Sequence, residues 1–158
     1  MSIIGIVAVD RKGAIGRRGS IPWHYSSDLK FFKQQTVDNA CVMGYRTWLT
    51  LKKPLTNRLN IVMSRSAEIE GNESVIVLRD KQAVLSLKLY LSCDLFIIGG
   101  EQVYRTFLGE IERWIVTEIP LVVADADTFM PKDYLQGFRP YDSQELEESL
   151  KVTFYEKR

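Results

Sequence analysis

One carboxylate stands among aromatic residues in the segment SSDLKFFK, which covers residues 26–33. At 100° per residue, Asp28 and Phe32 share one face of a helix, flanked by Leu29 and Phe31, while the two lysines turn away. Burial in this apolar arc would raise the carboxyl pKa and suit the group to bind or protonate a nitrogen-containing ring. The alternative is an ordinary first-turn Asp that favours the helix dipole. The two serines before it are predicted to cap the helix.

Glycines lie at two predicted junctions between a strand and a helix. In MGYRTW, residues 43–48, Gly44 would let an anion approach the free N–H groups of the following helix. Arg46, Ser64 and Arg65 are then candidates to hold a phosphate through charge-assisted hydrogen bonds. In FIIGGEQVY, residues 96–104, the double glycine would let the backbone touch a pyrophosphate, although a tight turn is the alternative. No GxGxxG motif occurs, so an ordinary Rossmann site is excluded.

Arg58 stands apart from these cations, and its planar guanidinium suits a carboxylate better than a lysine would. The stretch from Asp10 to His24 contains three glycines and four basic residues, and is expected to be a mobile lid or binding loop rather than a passive connector. His24 is the only histidine, so we predict a surface residue and no metal site. Cys41 and Cys93 lie beside apolar residues, lack metal-ligand spacing and are expected to be buried free thiols.

Charge is unevenly distributed along the 158 residues, although the net charge is only +1. Residues 1–66 hold 11 Lys/Arg against 3 Asp/Glu, and the remainder hold 10 against 17. The first part therefore suits anionic ligands, unless the two parts are simply solvated faces of opposite sign. The small net charge argues against general nucleic-acid or membrane affinity, and no apolar run approaches the roughly 20 residues of a membrane helix. We expect a cytoplasmic protein with one domain over residues 1–158.

Strands and helices alternate in the predicted pattern, which indicates an α/β sandwich. Several strands are apolar throughout, which is typical of central parallel strands covered on both faces. The final stretch, from Arg139 onward, alternates and predicts an antiparallel edge or hairpin. The predicted strands are Ile3–Val9, Ala40–Met43, Leu59–Ser64, Val75–Leu78, Asp94–Ile98, Trp114–Ile119 and Val152–Glu156. The predicted helices are Ser27–Thr36, Arg46–Leu51, Lys81–Leu91 and Gln102–Leu108.

Taken in order, these motifs resemble the dihydrofolate reductase family over nearly the whole chain. The matching segments are IVAVD, AIG, IPWHYSSDLKFF, VMGYRTW, PLTNRLNIVMS, FIIGGEQVY, WIVTEI and DTFMP. The resemblance implies a three-layer sandwich with a mostly parallel central sheet, an antiparallel C-terminal strand and flanking helices. It also implies reduction of dihydrofolate with hydride from NADPH. Asp28 would bind the pterin, Trp23 would help hold the water that protonates its ring nitrogen, and Tyr104 would lie near the nicotinamide.

The same resemblance implies two sets of contacts. Arg58 would pair with the α-carboxylate of the glutamate tail. The other substrate contacts would be Ile6, Val7, Ala8, Asp28, Leu29, Phe32, Thr50, Leu51, Leu55, Ile98 and Thr117. The cofactor contacts would be Ala8, Ile15, Gly16, Ser20, Gly44, Tyr45, Arg46, Thr47, Met63, Ser64, Arg65, Ser66, Gly99, Gly100, Glu101, Gln102, Val103, Tyr104 and Thr128.

Three features depart from the family pattern. Tyr45 stands where the family usually has an arginine beside the adenosine 2′-phosphate, Glu101 follows the double glycine, and Arg17 and Arg18 load the loop. These departures leave open a reductase resistant to antifolates such as trimethoprim. The resemblance further implies a monomer that takes dihydrofolate and antifolate inhibitors as its ligands.

Two other functions would account for some of these features. A pyrimidine reductase of riboflavin synthesis would share the fold and cofactor, but the set of Trp23, Asp28 and Arg58 argues against it. A non-catalytic module that binds anions or nucleic acid would explain the basic first part, but no nucleic-acid-binding signature supports it.

Overall fold

Ten strands and four α-helices make up the computed structural model, which describes residues 1–158. The strands are β1 (Ile3–Val9), β2 (Ala14–Gly16), β3 (Ala40–Gly44), β4 (Leu59–Met63), β5 (Val75–Leu78), β6 (Leu95–Gly99), β7 (Arg113–Glu118), β8 (Thr128–Phe129), β9 (Phe138–Leu146) and β10 (Leu150–Lys157). The helices are α1 (Ser26–Thr36), α2 (Tyr45–Thr50), α3 (Lys81–Leu85) and α4 (Glu101–Phe107). No helix is long and apolar enough to cross a membrane.

Eight strands form one sheet in the order β5-β4-β3-β6-β1-β7-β10-β9. The first six strands in that order pair in parallel, and β10 pairs antiparallel with both β7 and β9. The mostly parallel sheet with an antiparallel C-terminal end is therefore confirmed. Because the central strands are parallel, the segments that follow β3, β4 and β6 emerge at one edge of the sheet.

Helices cover both faces of the sheet, which confirms the three-layer sandwich. Alternate residues of each strand enter different cores. One core joins the sheet to α3 and α4 through Val84, Val103 and Phe107. The other joins it to α1 through Phe31, with Trp48 of α2 packed against it. Each face of the sheet thus packs against a different pair of helices. The side chains of the candidate site lie on one face or the other.

Gly5 of β1 marks the tightest contact between neighbouring strands. It lies in register with Trp114 of β7, and a Cβ at Gly5 would come within 2.5 Å of the indole ring. The Trp114 side chain is fully buried, and its ring makes an edge contact with Tyr134 at a centroid distance of 5.0 Å. Only glycine leaves room for an indole over the centre of this sheet.

Two predicted elements need correction. The stretch from Asp10 to His24 is not wholly loop, because it contains β2, which pairs with β8 in a second, two-stranded sheet. The helix predicted over Lys81–Leu91 ends at Leu85 and continues as a 3₁₀ turn over Ser86–Leu89. The Ser86 hydroxyl donates to the Ala83 carbonyl at 2.7 Å, a local bond that competes with regular helix. The other predicted bounds differ from the structure by one or two residues, and β9 and β10 form the predicted C-terminal hairpin.

Candidate active site

Asp28 lies half-buried in the first turn of α1, where no ion pair neutralises its charge. Burial raises the pKa of its carboxyl group, and the nearby Thr117 hydroxyl opposes part of that rise. Phe31 is buried beside it, but Leu29 is 55% exposed, so the apolar arc is complete on one side only. The carboxylate is therefore placed in an environment that favours its neutral form.

The cap of α1 comes from the far end of the chain rather than from the serines predicted to supply it. Tyr25 occupies the cap position without a side-chain bond. Instead, Glu148 Oε1 accepts the Ser27 backbone N–H at 2.8 Å and the Ser26 hydroxyl at 3.3 Å. The prediction of serine caps was wrong because both serines already lie inside the helix, where their hydroxyls cannot reach a backbone N–H of the next turn. The β9–β10 turn thus fixes the helix end that carries Asp28.

Most side chains predicted to contact substrate lie on the α1 side of the sheet. Ile6 belongs to the core of that side, and the residues packed against that core include Phe32, Leu51, Leu55 and Ile98. Val7 is the exception, because its side chain enters the opposite core, so any contact with a ligand on the α1 side is left to its backbone. Thr50 is exposed, and its hydroxyl donates to the Thr47 carbonyl.

Arg58 is held in place by its own neighbours. Its Nε donates to the Thr56 carbonyl at 2.9 Å, and its Nη1 donates to Thr36 Oγ1 at 3.1 Å. The guanidinium carbon lies 5.8 Å from the centroid of the Phe32 ring. Although Arg58 is only 8% exposed, no carboxylate of the chain pairs with it. A buried guanidinium with Nη2 unbonded is suited to bind an external carboxylate.

Asn60 organises the turn that carries Arg58, and sequence reasoning missed it. Its side chain accepts from the Leu55 N–H at 2.9 Å and donates to the carbonyls of Leu55 and Arg58 at 3.0 and 3.1 Å. The residue is fully buried in β4. The available signal was a lone amide inside the apolar run LNIVM, since a buried amide has to be satisfied by hydrogen bonds. Thr36 was missed as well, because a threonine at a helix end carries no such signal.

Gly44 and Gly99 end adjacent parallel strands and form one cradle. A Cβ at Gly44 would lie 3.2 Å from Val103 Cγ2 and 3.9 Å from the Gly99 carbonyl oxygen. Gly99 has φ +116°, and a Cβ there would lie 3.2 Å from the Tyr104 ring. Side chains are therefore excluded where the sequence predicted a close backbone approach, and the cradle fits the diphosphate of a dinucleotide.

The cations predicted beside this cradle are exposed and form no ion pair. Arg46 follows β3 by two residues, and Arg65 follows β4 by two residues. The Ser64 hydroxyl oxygen accepts the Ala67 N–H at 3.0 Å, which shapes the turn containing Arg65. Arg79, which the sequence did not single out, donates to the Ser64 and Ala67 carbonyls at 3.2 and 2.6 Å. This turn is well suited to present a positive charge at the sheet edge.

Glu101, which follows the double glycine, forms an ion pair within its own helix. Its carboxylate accepts from Arg105 Nε at 3.0 Å, four residues along α4. The pair is partly exposed, so it contributes little to stability, but it offsets a negative charge beside the cradle.

Tyr104 connects α4 to the backbone of β1. Its hydroxyl donates to the Ile6 carbonyl at 2.8 Å, and burial raises the pKa of the phenol above its ordinary value. The Tyr104 side chain lies in the core that contains α3 and α4, so the bond reaches β1 from the face opposite to α1. The tyrosine is thus a fixed, protonated group rather than a base.

Hydrogen bonds anchor the loop at both ends. Asp10 Oδ1 accepts the Lys12 and Ala14 N–H groups, each at 2.8 Å, and Oδ2 accepts the Val123 N–H at 2.8 Å. Burial raises the pKa of Asp10, but these amides outweigh burial and leave it below the ordinary value. Further along, the Arg18 N–H donates to Asp127 Oδ2 at 2.9 Å. The part without regular structure is therefore shorter than predicted, and it includes the half-buried Trp23.

His24 is exposed, and both cysteines are free. Cys93 is only half-buried, so the prediction of two buried thiols is correct for Cys41 alone. Cys41 is buried, and burial raises the pKa of its thiol to about 12, so the thiol stays protonated near neutral pH. No group of three His, Cys, Asp or Glu side chains is arranged to hold a metal ion.

Comparison with known proteins agrees with this geometry. The dihydrofolate reductase family model matches residues 2–157. The dihydrofolate reductase of Buchnera aphidicola (subsp. Baizongia pistaciae) is 31% identical to the chain, and the match covers 98% of this chain and 94% of that enzyme. A solved dihydrofolate reductase from Enterococcus faecalis, complexed with NADP(H) and RAB-propyl, has a TM-score of 0.89 at 26% identity, covering 99% of this chain and 96% of its own.

Longer plant proteins also match. The bifunctional dihydrofolate reductase-thymidylate synthase 2 of Arabidopsis thaliana is 35% identical, with 87% of this chain but only 28% of that protein covered. The chain thus spans about a third or less of the bifunctional relatives, whereas it spans nearly all of the Buchnera enzyme. The match of the family over residues 2–157, on a fold whose glycine cradle and half-buried Asp28 lie where its motifs indicate, shows that the chain belongs to the dihydrofolate reductase family.

Proposed function

We propose that this chain catalyses the NADPH-dependent reduction of 7,8-dihydrofolate to 5,6,7,8-tetrahydrofolate. The observation that carries the proposal is Asp28, a half-buried carboxylate without a cationic partner and with a raised pKa. A structural carboxylate in that position would normally be paired or fully hydrogen-bonded. The relatives of comparable length carry the same activity in their names, which supports the assignment.

Asp28 acts on the pterin ring. Its carboxylate accepts hydrogen bonds from the ring and raises the proton affinity of the reacting nitrogen. Trp23 helps to hold the water that delivers the proton. Phe32, Leu51 and Leu55 give the ring and its linker an apolar surface, and they exclude other water from the reaction.

Arg58 binds the α-carboxylate of the glutamate tail. Two of its nitrogens are already bonded to Thr56 and Thr36, which leaves Nη2 for the ligand. Since these bonds hold the guanidinium before any ligand arrives, little side-chain freedom is lost on binding. Asn60 keeps the turn around Arg58 in shape.

NADPH fits the glycine cradle at the edge formed by β3, β4 and β6. When bound, it supplies the hydride that reduces the pterin. Gly44 and Gly99 leave space for its phosphates, and Arg46 and Arg65 offer unpaired charges for the adenosine 2′-phosphate. Tyr104 holds β1 at a fixed distance from the cradle through its bond to Ile6. These two arginines supply the positive charge beside the 2′-phosphate that Tyr45, a neutral residue, does not carry.

The proposal is tested by absorbance at 340 nm in the presence of NADPH and dihydrofolate. We expect decay only when both are present, and a preference for NADPH over NADH that shrinks at high salt, because salt screens the charges on the 2′-phosphate. Arg65→Ala should reduce the preference further. No decay would favour a non-catalytic anion-binding module, and equal use of both cofactors would show that Arg46 and Arg65 do not replace the missing arginine.

We further propose that residues 1–158 act as one domain, as a cytoplasmic monomer that binds antifolate inhibitors in the dihydrofolate site and neither nucleic acid nor membrane. The small net charge of +1 supports the last point. Light scattering after size-exclusion chromatography measures the oligomeric state, and inhibition by trimethoprim tests whether the departures at Tyr45 and Glu101 accompany resistance.

A further inference from the structure

A cleft opens on the α1 side of the sheet at the end opposite to Asp28. Its accessible volume is about 210 Å³, and its floor is formed by three buried side chains, Ile4, Phe96 and Ile115. Phe154 and Tyr141 from the C-terminal hairpin form one wall. The cleft lies at the amino ends of the parallel strands, whereas the candidate active site lies at their carboxyl ends.

Arg113 is the charged group that makes this cleft more than a packing gap. It lines the cleft at the start of β7, is half-buried, and forms neither an ion pair nor a side-chain hydrogen bond. Glu156 lies opposite it on β10, but Arg139 holds that carboxylate at 3.0 Å. A half-buried guanidinium that forms no ion pair with the carboxylate opposite it is available to an external anion.

Asp94 supplies the opposite charge at the other side of the cleft. One of its oxygens accepts the Ser2 N–H at 2.9 Å, which leaves the second carboxylate oxygen unbonded. Asn39 also lines the cleft, but its side-chain oxygen accepts the Asp94 N–H and its side-chain nitrogen donates to the Val37 carbonyl. Asp94 precedes β6 and Arg113 begins β7, with β1 between them, so the two backbones are separated by two strand spacings, on the order of 10 Å.

We propose that this cleft is a second binding site, for a small aromatic ring with a carboxylate at one end and an amino group at the other. The carboxylate binds Arg113, the amino group binds Asp94, and the ring packs against the exposed parts of Phe154 and Tyr141. The volume is below the roughly 300–1,000 Å³ of sites for drug-sized ligands, so a single ring fits. Gln35 of α1 also lines the cleft, so an occupant touches the helix whose other end carries Asp28.

The test uses 4-(aminomethyl)benzoate as the probe and titrates it into the full chain while ¹H–¹⁵N chemical shifts are recorded. Benzoate and benzylamine are the matched controls, because each keeps the ring and only one of the two charges. We expect a Kd on the order of 1 mM for the zwitterion, weaker binding of both controls, and shift changes centred on the residues that line the cleft. Equal binding of all three probes, or no binding at 20 mM, would overturn the proposal.

Two arginine variants distinguish this cleft from the candidate active site. Arg113→Gln should weaken binding of the zwitterion by about tenfold, since one partly exposed charge-assisted contact is lost. Arg58→Gln should leave it unchanged, and the reverse pattern would place the probe in the active site and refute the second site. Thermal melts check that both variants fold. If Arg113→Gln does not fold, Asp94→Asn serves instead, and it should weaken the zwitterion while leaving benzoate unaffected.

Discussion

A negative charge lies at one end of α1 and a positive charge at the other, and only the positive one is fixed by hydrogen bonds from the protein. At the first turn, Asp28 is half-buried and has no cationic partner, so the pKa of its carboxyl group rises. At the last residue, Thr36 accepts a hydrogen bond from Arg58, a cation that is further fixed by Thr56. Eight residues of helix separate Asp28 from Thr36, which is about 12 Å along the axis.

This difference separates two tasks. A carboxylate that has to change the protonation of a ligand must not be paired with a cation of the protein, because a paired carboxylate is a weak base. A group that has only to bind a carboxylate works best when its geometry is set beforehand. The same helix therefore places a chemically poised residue at one end and an anchoring residue at the other.

The largest change to the anchoring end is Arg58→Ala. We expect the KM for dihydrofolate to rise by roughly 30- to 1,000-fold, corresponding to about 2–4 kcal/mol for the loss of a buried charge-assisted contact. NADPH binding should hardly change. Steady-state kinetics measure both, with Lys53→Ala as an exposed cationic control. A KM within twofold of the parent would show that Arg58 does not bind the tail.

A smaller effect is expected from Thr36→Val, which keeps the shape of the side chain but removes the oxygen that accepts from Arg58. Leaving Arg58 Nη1 unpaired in a buried position costs about 1–2 kcal/mol, so the KM for dihydrofolate should rise about tenfold while kcat changes little. The Thr36 hydroxyl donates to the Phe32 carbonyl at 2.8 Å. Thr106→Val is the matched control, because the Thr106 hydroxyl likewise donates to the carbonyl four residues earlier but has no arginine partner. A fall in kcat with an unchanged KM would contradict the anchoring role.

The smallest effect is expected at the cap of α1, at the helix end that carries Asp28. Glu148→Gln weakens the bond to the Ser27 N–H, and we expect kcat/KM to fall a few-fold near neutral pH. That same bond holds the pKa of Glu148 below its ordinary value, so its contribution is present above pH 4.5 and disappears as pH falls through the lowered pKa. The pH profiles of parent and variant should therefore converge in acid. Glu147→Gln is the control, because the Glu147 side chain forms no hydrogen bond or ion pair, and a loss independent of pH would exclude a role for the charge of Glu148.

Much of the structure around Asp28 and the glycine cradle could be predicted from the sequence. Asp28 is recognisable as a carboxylate in an apolar arc. Gly44 and Gly99 indicate the cradle, because only a residue without Cβ fits there. Seven of the ten strands were predicted, most of them because they are short apolar runs between polar turns. These features are local, so periodicity and residue type are sufficient to find them.

The supporting contacts could not be predicted in the same way. Glu148 caps a helix 121 residues earlier in the chain, and Thr36 meets Arg58 across 22 residues. Nothing local distinguishes these side chains from ordinary surface or helix-end residues, since their roles depend on the tertiary fold. The pairing of β2 with β8 was missed for the same reason, because a three-residue strand gives no periodic signal.

The central claim is that the negative charge of Asp28, rather than its shape, drives the reaction. Asp28→Asn keeps the size and one oxygen but removes the charge. Because burial raises the pKa of Asp28, ionisation above the ordinary Asp range costs the folded state free energy. The variant should therefore be at least as stable as the parent at pH 7, with the difference closing as pH falls, and a thermal melt checks this.

The decisive measurement is the pH profile of kcat/KM for parent and Asp28→Asn between pH 5 and pH 8. We expect a loss on the order of 100-fold or more near pH 7, shrinking as pH falls and the substrate is protonated beforehand. A variant that retains most of its activity at pH 7 would contradict the account, and so would a large loss that stays constant down to pH 5, because geometry rather than charge would then be responsible.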